Sequence, residues 1–546
     1  MRFCNKCKKT LPSRFDFYKV CPYCGSQLLR VYTVRNLNSG EKEYATAEKY
    51  YTGNGVGKNL EEAFSWYMKA AEQGHSGAQY KLGYMYNNGL GVKSDKEKAF
   101  SWYMKAAKQG NMNAQNNLAY MYNHGEGVES DKEEAFSWYM KAAKQGNMYA
   151  QYNLAYMYDL GEGVEEDEEE AFSWYMKAAK KGHTAAQYEV GESYYYGRGV
   201  EEDEEEAFSW YMKAAEKGHT AAQYKVGESY YYGRGVEEDE EEAFSWYMKA
   251  AKQEHTGAQY KLGCMYDNGE GIEKDNEEAF KWYMKAAEKN HVEAQYEVGE
   301  AYYYGNGVDV DFEKAFPWYM KAAKQGNADA QYTIGYMYSH GQGVKEDKKV
   351  ALTWHMKAAL QNNELAQYEV GEAYYYGKGV RKNYKEAFFW YMKAALQEYG
   401  KAQYKIGFMY YNSEGVEEDF AEAFSWYTKA AEQNVSEAQY EVGEAHYYGT
   451  GTWKDYDEAF TWYMKAAEQG YSEAQFKVGY MYYNAEGVEE DHDKAFSWYM
   501  KAAKQGHSEA QYKVGRMYFY GEGAKRDLKE SLIWYKEAVN NGFSPV

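Results

Sequence analysis

Trp66, Trp102, Trp138, Trp174, Trp210, Trp246, Trp282, Trp318, Trp354, Trp390, Trp426, Trp462, Trp498 and Trp534 each stand 36 residues from the next. The register holds without insertion, and only Trp453 lies outside it. A fixed period of this size means a repeat array, in which each unit buries its apolar face against its neighbours instead of around one central core. Fourteen units of 36 fill residues 40–543 and leave a short segment in front.

Residues 77–110 show one unit. Ala78, Leu82 and Tyr86 recur at helical spacing, which predicts a first helix. Gly89-Leu90-Gly91-Val92 ends it in a turn with two residues free to take positive φ. Asp95 is placed as an N-cap, and the next unit completes a capping box with Asp131 and Glu134. Ala99, Phe100, Trp102, Tyr103, Ala106 and Ala107 form the broad apolar face of a second helix, which Gln109-Gly110 stops. Gly83 and the alanine pair leave room for close backbone approach, and Trp102 with Tyr103 supplies the bulk between hairpins. Neither helix is long enough to stand alone, so stacking must hold them. Only four prolines occur in 546 residues, as a helical chain requires. The expected fold is all-α: an α/α superhelical solenoid of helix-turn-helix repeats, preceded by a small zinc ribbon.

The recurring pattern, Ala, then Leu/Val/Ile-Gly, Tyr, Gly-x-Gly-Val, Asp and finally Trp-Tyr-x-Lys-Ala-Ala, resembles the Sel1-like repeat, a relative of the tetratricopeptide repeat. The resemblance covers about 500 residues in fourteen copies. It implies an α-solenoid whose concave surface binds other proteins, an adaptor or scaffold with no catalytic residue.

The head, residues 1–35, has its own chemistry. Cys4 and Cys7 form one CxxC pair, and Cys21 and Cys24 form another in the run CPYCG. Zinc takes four thiolates tetrahedrally, two from each such knuckle, and a closed shell leaves no place for a catalytic water. One structural Zn2+ is therefore expected, and the segment resembles short zinc-ribbon modules. Eight Lys/Arg face one acid, Asp16, in this head; with the whole chain at −21, the remainder carries −28. So acidic a body repels nucleic acid and anionic membranes. Only the basic head offers the alternative reading, a regulator that contacts nucleic acid.

A second stripe on the first helices marks the candidate binding surface. It carries Tyr84, Tyr120, Tyr156, Glu192, Glu228, Glu300, Tyr336, Glu372, Phe408, Glu444 and Tyr480 at one register position. Three residues earlier stand Lys81, Glu189, Glu297, Thr333, Glu369, Lys405, Glu441 and Lys477, so aromatic-basic and acidic units alternate over 72 residues in the C-terminal half. This is a tyrosine ladder suited to an extended or helical peptide. The same alternation also fits glutamates that face the neighbouring unit's lysines. The acidic runs 165–170, 201–206 and 237–242 open second helices, where negative charge complements the helix dipole, and they read as a solvated rim.

Other features mislead. Gly53-Asn54-Gly55-Val56-Gly57-Lys58 lacks the spacing and the Ser/Thr of a phosphate loop. His75, His183, His219, His255, His291 and His507 share one loop position, which marks a turn and not a base. Catalysis needs unique residues converging on a point, and near-verbatim copies argue against an enzyme. No apolar run reaches the ~18 residues of a membrane span. The expectation is a cytoplasmic, monomeric, bacterial adaptor that holds a protein or peptide partner.

Overall fold

The computed structural model describes residues 2–3, 10–11 and 40–544. Cys4, Cys7, Cys21 and Cys24, and with them the expected zinc ribbon, lie outside the described residues. Arg2–Phe3 (β1) pairs antiparallel with Thr10–Leu11 (β2). From residue 40 the described chain is 28 helices, α1 (Glu41–Thr52) to α28 (Leu528–Asn540), arranged as fourteen hairpins. They fall into two compact units, Met1–Ala258 and Gln259–Val546.

Local chemistry sets the helix ends. In α4 (Lys96–Lys108) the Asp95 carboxylate accepts from the Lys98 amide, and in α6 (Lys132–Lys144) Asp131 accepts from that of Glu134, as expected of N-caps. The first helices are capped differently. His75 Nδ1 accepts from the Ala78 amide ahead of α3 (Ser76–Asn88), and Asn111 makes the same bond ahead of α5 (Met112–His124). The repeated histidines are thus caps, interchangeable with asparagine because both offer an acceptor at that height. Burial pushes His183, His219, His291 and His507 down, which keeps the accepting nitrogen unprotonated.

The core differs from the expected wedge in one respect. From Tyr67 to Tyr499 the residue after the tryptophan, a tyrosine everywhere but at His355, is the more deeply buried of the two. Tyr67, Tyr103, Tyr319 and Tyr463 are among the largest fully buried side chains. The glycine after the aliphatic residue makes room for that ring: a Cβ on Gly83 would lie 2.5 Å from the Tyr103 ring, and on Gly371 2.5 Å from Tyr391. So Gly83 admits a side chain from its own hairpin and does not serve helix–helix backbone contact. The tryptophans lie shallower, with a lysine one turn on standing over the indole: Lys105 is 3.9 Å from Trp102 and Lys249 3.3 Å from Trp246.

Two further devices join hairpin to hairpin within each unit. Phe64 of α2 (Leu60–Glu72) meets Tyr86 of α3 edge-on at 5.3 Å, and Phe100 meets Tyr122 in the same way. A buried glutamine recurs on the first helices from Gln79 to Gln511, and most of these join in a ladder. Gln403 donates to the Ala395 carbonyl at 3.2 Å and accepts from Gln433 at 2.9 Å. A buried amide left unbonded costs about 1–3 kcal/mol, so each rung favours one stacking register over its alternatives.

Candidate partner-binding face

The candidate residues sit at one register on the first helices: α3, α5, α7 (Met148–Leu160), α9 (Thr184–Tyr196), α11 (Thr220–Tyr232), α15 (Val292–Tyr304), α17 (Ala328–His340), α19 (Glu364–Tyr376), α21 (Gly400–Tyr411), α23 (Ser436–Tyr448) and α25 (Ser472–Asn484). Helical periodicity puts them on one face of each helix, but their surroundings split by residue type. Tyr84, Tyr120 and Tyr156 are exposed, and Tyr336, Phe408 and Tyr480 are half-buried.

The glutamates turn inward. Glu192, Glu300, Glu372 and Glu444 accept from the buried phenols of Tyr211, Tyr319, Tyr391 and Tyr463 at 2.6, 2.7, 2.7 and 2.5 Å. Three of them also meet the next unit's lysine: Lys225–Glu192 at 3.8 Å, Lys405–Glu372 at 3.2 Å and Lys477–Glu444 at 2.6 Å. The charge alternation is therefore pairing between neighbouring repeats at these three places. Glu228 lies 3.5 Å from Lys225 of its own helix. A carboxylate that satisfies both a buried hydroxyl and an ammonium is held in one geometry, unlike a free surface acid.

A second set of carboxylates stands one turn earlier. Burial, with Glu192 beside it, pushes Glu189 up to about 7. Burial with Glu300, and burial with Glu444, lifts Glu297 and Glu441 to about 7 as well, and Glu369 moves in the same direction. These four lack the partners that the neighbouring glutamates have.

The most exposed rings on this side close the first helices. In the run Tyr302-Tyr303-Tyr304, Tyr302 packs edge-on to Phe280 at 5.3 Å. Tyr303 donates to Gln342 Oε1 at 2.5 Å, and Tyr304 is 62% exposed. Tyr196, Tyr232, Tyr376, Tyr448 and Tyr520 are its exposed counterparts. The tyrosine runs were visible in the sequence. Which of the three rings faces water follows only from the Phe–Tyr contact that fixes the rotation of the helix.

The acidic runs are exposed around the caps Asp167, Asp203 and Asp239, as a solvated rim requires. Gly53 ends α1 at φ 81°, so the phosphate-loop look-alike is an inter-helix turn.

Similarity to known proteins follows the same units. The model of the Sel1 repeat matches in fourteen consecutive segments, 43–75, 76–111 and so on to 508–543. The solved structure of c5321, a protective antigen present in uropathogenic Escherichia coli strains and displaying an SLR fold, is 34% identical, with a TM-score of 0.73 over 81% of this chain and 94% of that one. A Sel1 repeat protein from Oxalobacter formigenes is 32% identical over 60% of this chain and 92% of its own, with a TM-score of 0.46. The immunity protein Pa5087 from Pseudomonas aeruginosa is 23% identical over 39% of this chain and 81% of its own, with a TM-score of 0.26. Comparison with curated proteins finds no match. The period, the hairpins and the fourteen matched segments agree, and the chain belongs to the Sel1 repeat family.

Proposed function

We propose that this protein is an interaction scaffold that holds a protein or peptide partner along the first-helix face of its repeats. Repeat solenoids of this kind are generally protein-interaction scaffolds. The observation that supports the reading is the series of exposed tyrosines on rigid helices, Tyr196 to Tyr520 at the helix ends with Tyr84, Tyr120 and Tyr156 beside them. Tyrosine anchors bury large area at small entropic cost and are enriched at binding hot spots. The inward glutamates Glu192, Glu300, Glu372 and Glu444 brace this face. Catalysis is no part of the reading, because the chemistry-bearing residues recur from unit to unit.

The test is affinity capture with the wild-type chain and with a Tyr196→Ala/Tyr304→Ala/Tyr520→Ala variant. Loss of the captured partner is expected, and capture unchanged by the three substitutions would remove the reading. Cys4, Cys7, Cys21 and Cys24 are proposed to hold one structural zinc, on the support of their spacing. The scaffold is taken to be a cytoplasmic monomer. Among the described residues no helix is long and apolar enough to cross a membrane.

A further inference from the structure

In the second unit, cavities recur at one place in the repeat. One of about 310 Å3 opens between α21, α22 (Phe420–Glu432) and α23, walled by the rings of Tyr411, Phe420, Tyr440 and Tyr448 and by Glu441. Another, of about 330 Å3, lies between α17, α18 (Lys348–Leu360) and α19, with Glu369 and His355 on its wall. A small third, of about 20 Å3, has Glu297 at the equivalent position. Glu297, Glu369 and Glu441 are 72 residues apart. Each cavity forms where a helix with two glutamates follows one that carries Cys264, Tyr336 or Phe408 in the register of the second glutamate.

The acids in these walls differ. Glu444 is taken by Tyr463 and Lys477, and Glu372 by Tyr391 and Lys405. Glu441 and Glu369 accept no side-chain hydrogen bond and have no cation within 4 Å; Lys378, His340 and Lys401 act on Glu369 only from farther off, and no cation acts on Glu441. His355 replaces the usual tyrosine and is only 4% exposed. Burial holds it neutral, down to about 4. Its ring edge fills the gap at Gly335, where a Cβ would clash with Nε2, so it closes that wall and offers the cavity no polar group. The two lysines on that wall are occupied, Lys348 with Glu346 at 3.0 Å and Lys378 with Glu372 at 3.8 Å. The carboxylates of Glu369 and Glu441 thus ask for a donor that carries positive charge, and the aromatic walls suit both an aliphatic stem and a cation. Volumes at the bottom of the ~300–1,000 Å3 range of ligand pockets fit one long side chain better than a cofactor.

We infer that the cavities at Glu369 and Glu441 are sockets for lysine side chains of the partner, with the ammonium against the free carboxylate and the methylenes along the rings. The inference rests on the scaffold reading and names the partner's chemistry: a basic segment. Neighbouring helices pack 8–10 Å apart, so sockets two hairpins apart stand roughly 20 Å from each other. An extended chain covers that distance in about six residues.

The test is calorimetric titration of the full chain with an end-blocked Gly/Ser peptide bearing two lysines six residues apart. The same peptide with both lysines acetylated is the probe control, and it needs no variant protein. The expectation is binding of the lysine peptide and a loss of at least about tenfold on acetylation. A Glu369→Gln/Glu441→Gln variant should weaken binding about tenfold, whereas Glu237→Gln/Glu238→Gln, which removes equal charge from an exposed run, should change it less than about twofold. Failure of the lysine peptide to bind, or equal weakening by the two variants, would overturn the sockets. A flat titration alongside ring-dependent partner capture removes the sockets and leaves the scaffold reading standing. Ring-independent capture with the expected titration does the reverse.

Discussion

Hairpins α3 to α8 (Glu168–Lys180) and hairpins α15 to α24 (Tyr456–Glu468) share one backbone plan but resolve the same register position in opposite ways. In the early hairpins Tyr84, Tyr120 and Tyr156 point to water, and the buried phenol of Tyr175 has no partner. In the later ones Glu300, Glu372 and Glu444 turn inward and each accepts from the buried tyrosine of its own hairpin. Tyr499, which follows Tyr480, is again unpartnered. Tyr247 is the exception: it follows Glu228, but that carboxylate leans to Lys225. The identity of one side chain therefore decides whether the position serves the core or the surface.

The largest contrast should come from deleting the hydroxyl. Tyr391→Phe removes a hydroxyl that Glu372 accepts from, leaving it its lysines, and should cost about 2 kcal/mol in local stability by amide hydrogen exchange. Tyr175→Phe removes an unpartnered group and should change stability by less than about 0.5 kcal/mol, or raise it. Equal costs at the two sites would break the comparison. Next in size is the lysine bridge. Lys405→Met should cost about 1 kcal/mol in protection of α19 and α21, and Asn153→Met, the early counterpart, close to nothing.

The third prediction concerns pH. Burial raises Glu297 and Glu441 to about 7 in the folded chain. Glu297 faces Glu300 and Asp267, and Glu441 faces Glu444. Between the ordinary carboxylate range near 4.3 and 7, the folded state holds protons that the unfolded state has lost. Stability of the later hairpins should therefore fall as pH rises through that window, and Glu441→Gln should flatten the fall and raise the melting temperature at pH 8. Exchange rates in α3 to α8 should show less of this dependence, since Lys81, Asn117 and Asn153 fill that register there. The smallest effect on the array is expected from the head. Cys21→Ser should abolish the one equivalent of zinc found by elemental analysis and leave the melting of the repeats unchanged.

The architecture was legible because its determinants are periodic. Tryptophan register, Asp caps and glycine stops place fourteen hairpins, and each is a local rule that survives averaging over copies. The division of labour inside a repeat was harder to read. Trp102 and Tyr103 look equally suited to the interior, and only the gap left by Gly83 assigns the deeper place to tyrosine. The histidine position signalled a turn, but its capping role depends on Nδ1 reaching an amide three residues on. Glu372 and Glu369 are indistinguishable by type. Their different fates follow from Tyr391 and Lys405, which lie 19 and 33 residues beyond Glu372 and belong to other helices. The cavities arise where two kinds of repeat meet; the 72-residue alternation marks those junctions, but the space between the helices is not written in it.

The central claim is that the partner lies along the first helices and not the second. Tyr376, at the end of α19, and Phe389, on α20 (Tyr384–Leu396), are 52% and 50% exposed, so exposure alone does not separate them. A photo-crosslinking residue placed at either site in the living cell measures the claim directly. Adducts with one partner from position 376 and none from 389 are predicted; equal labelling from both, or labelling from 389 alone, would contradict it.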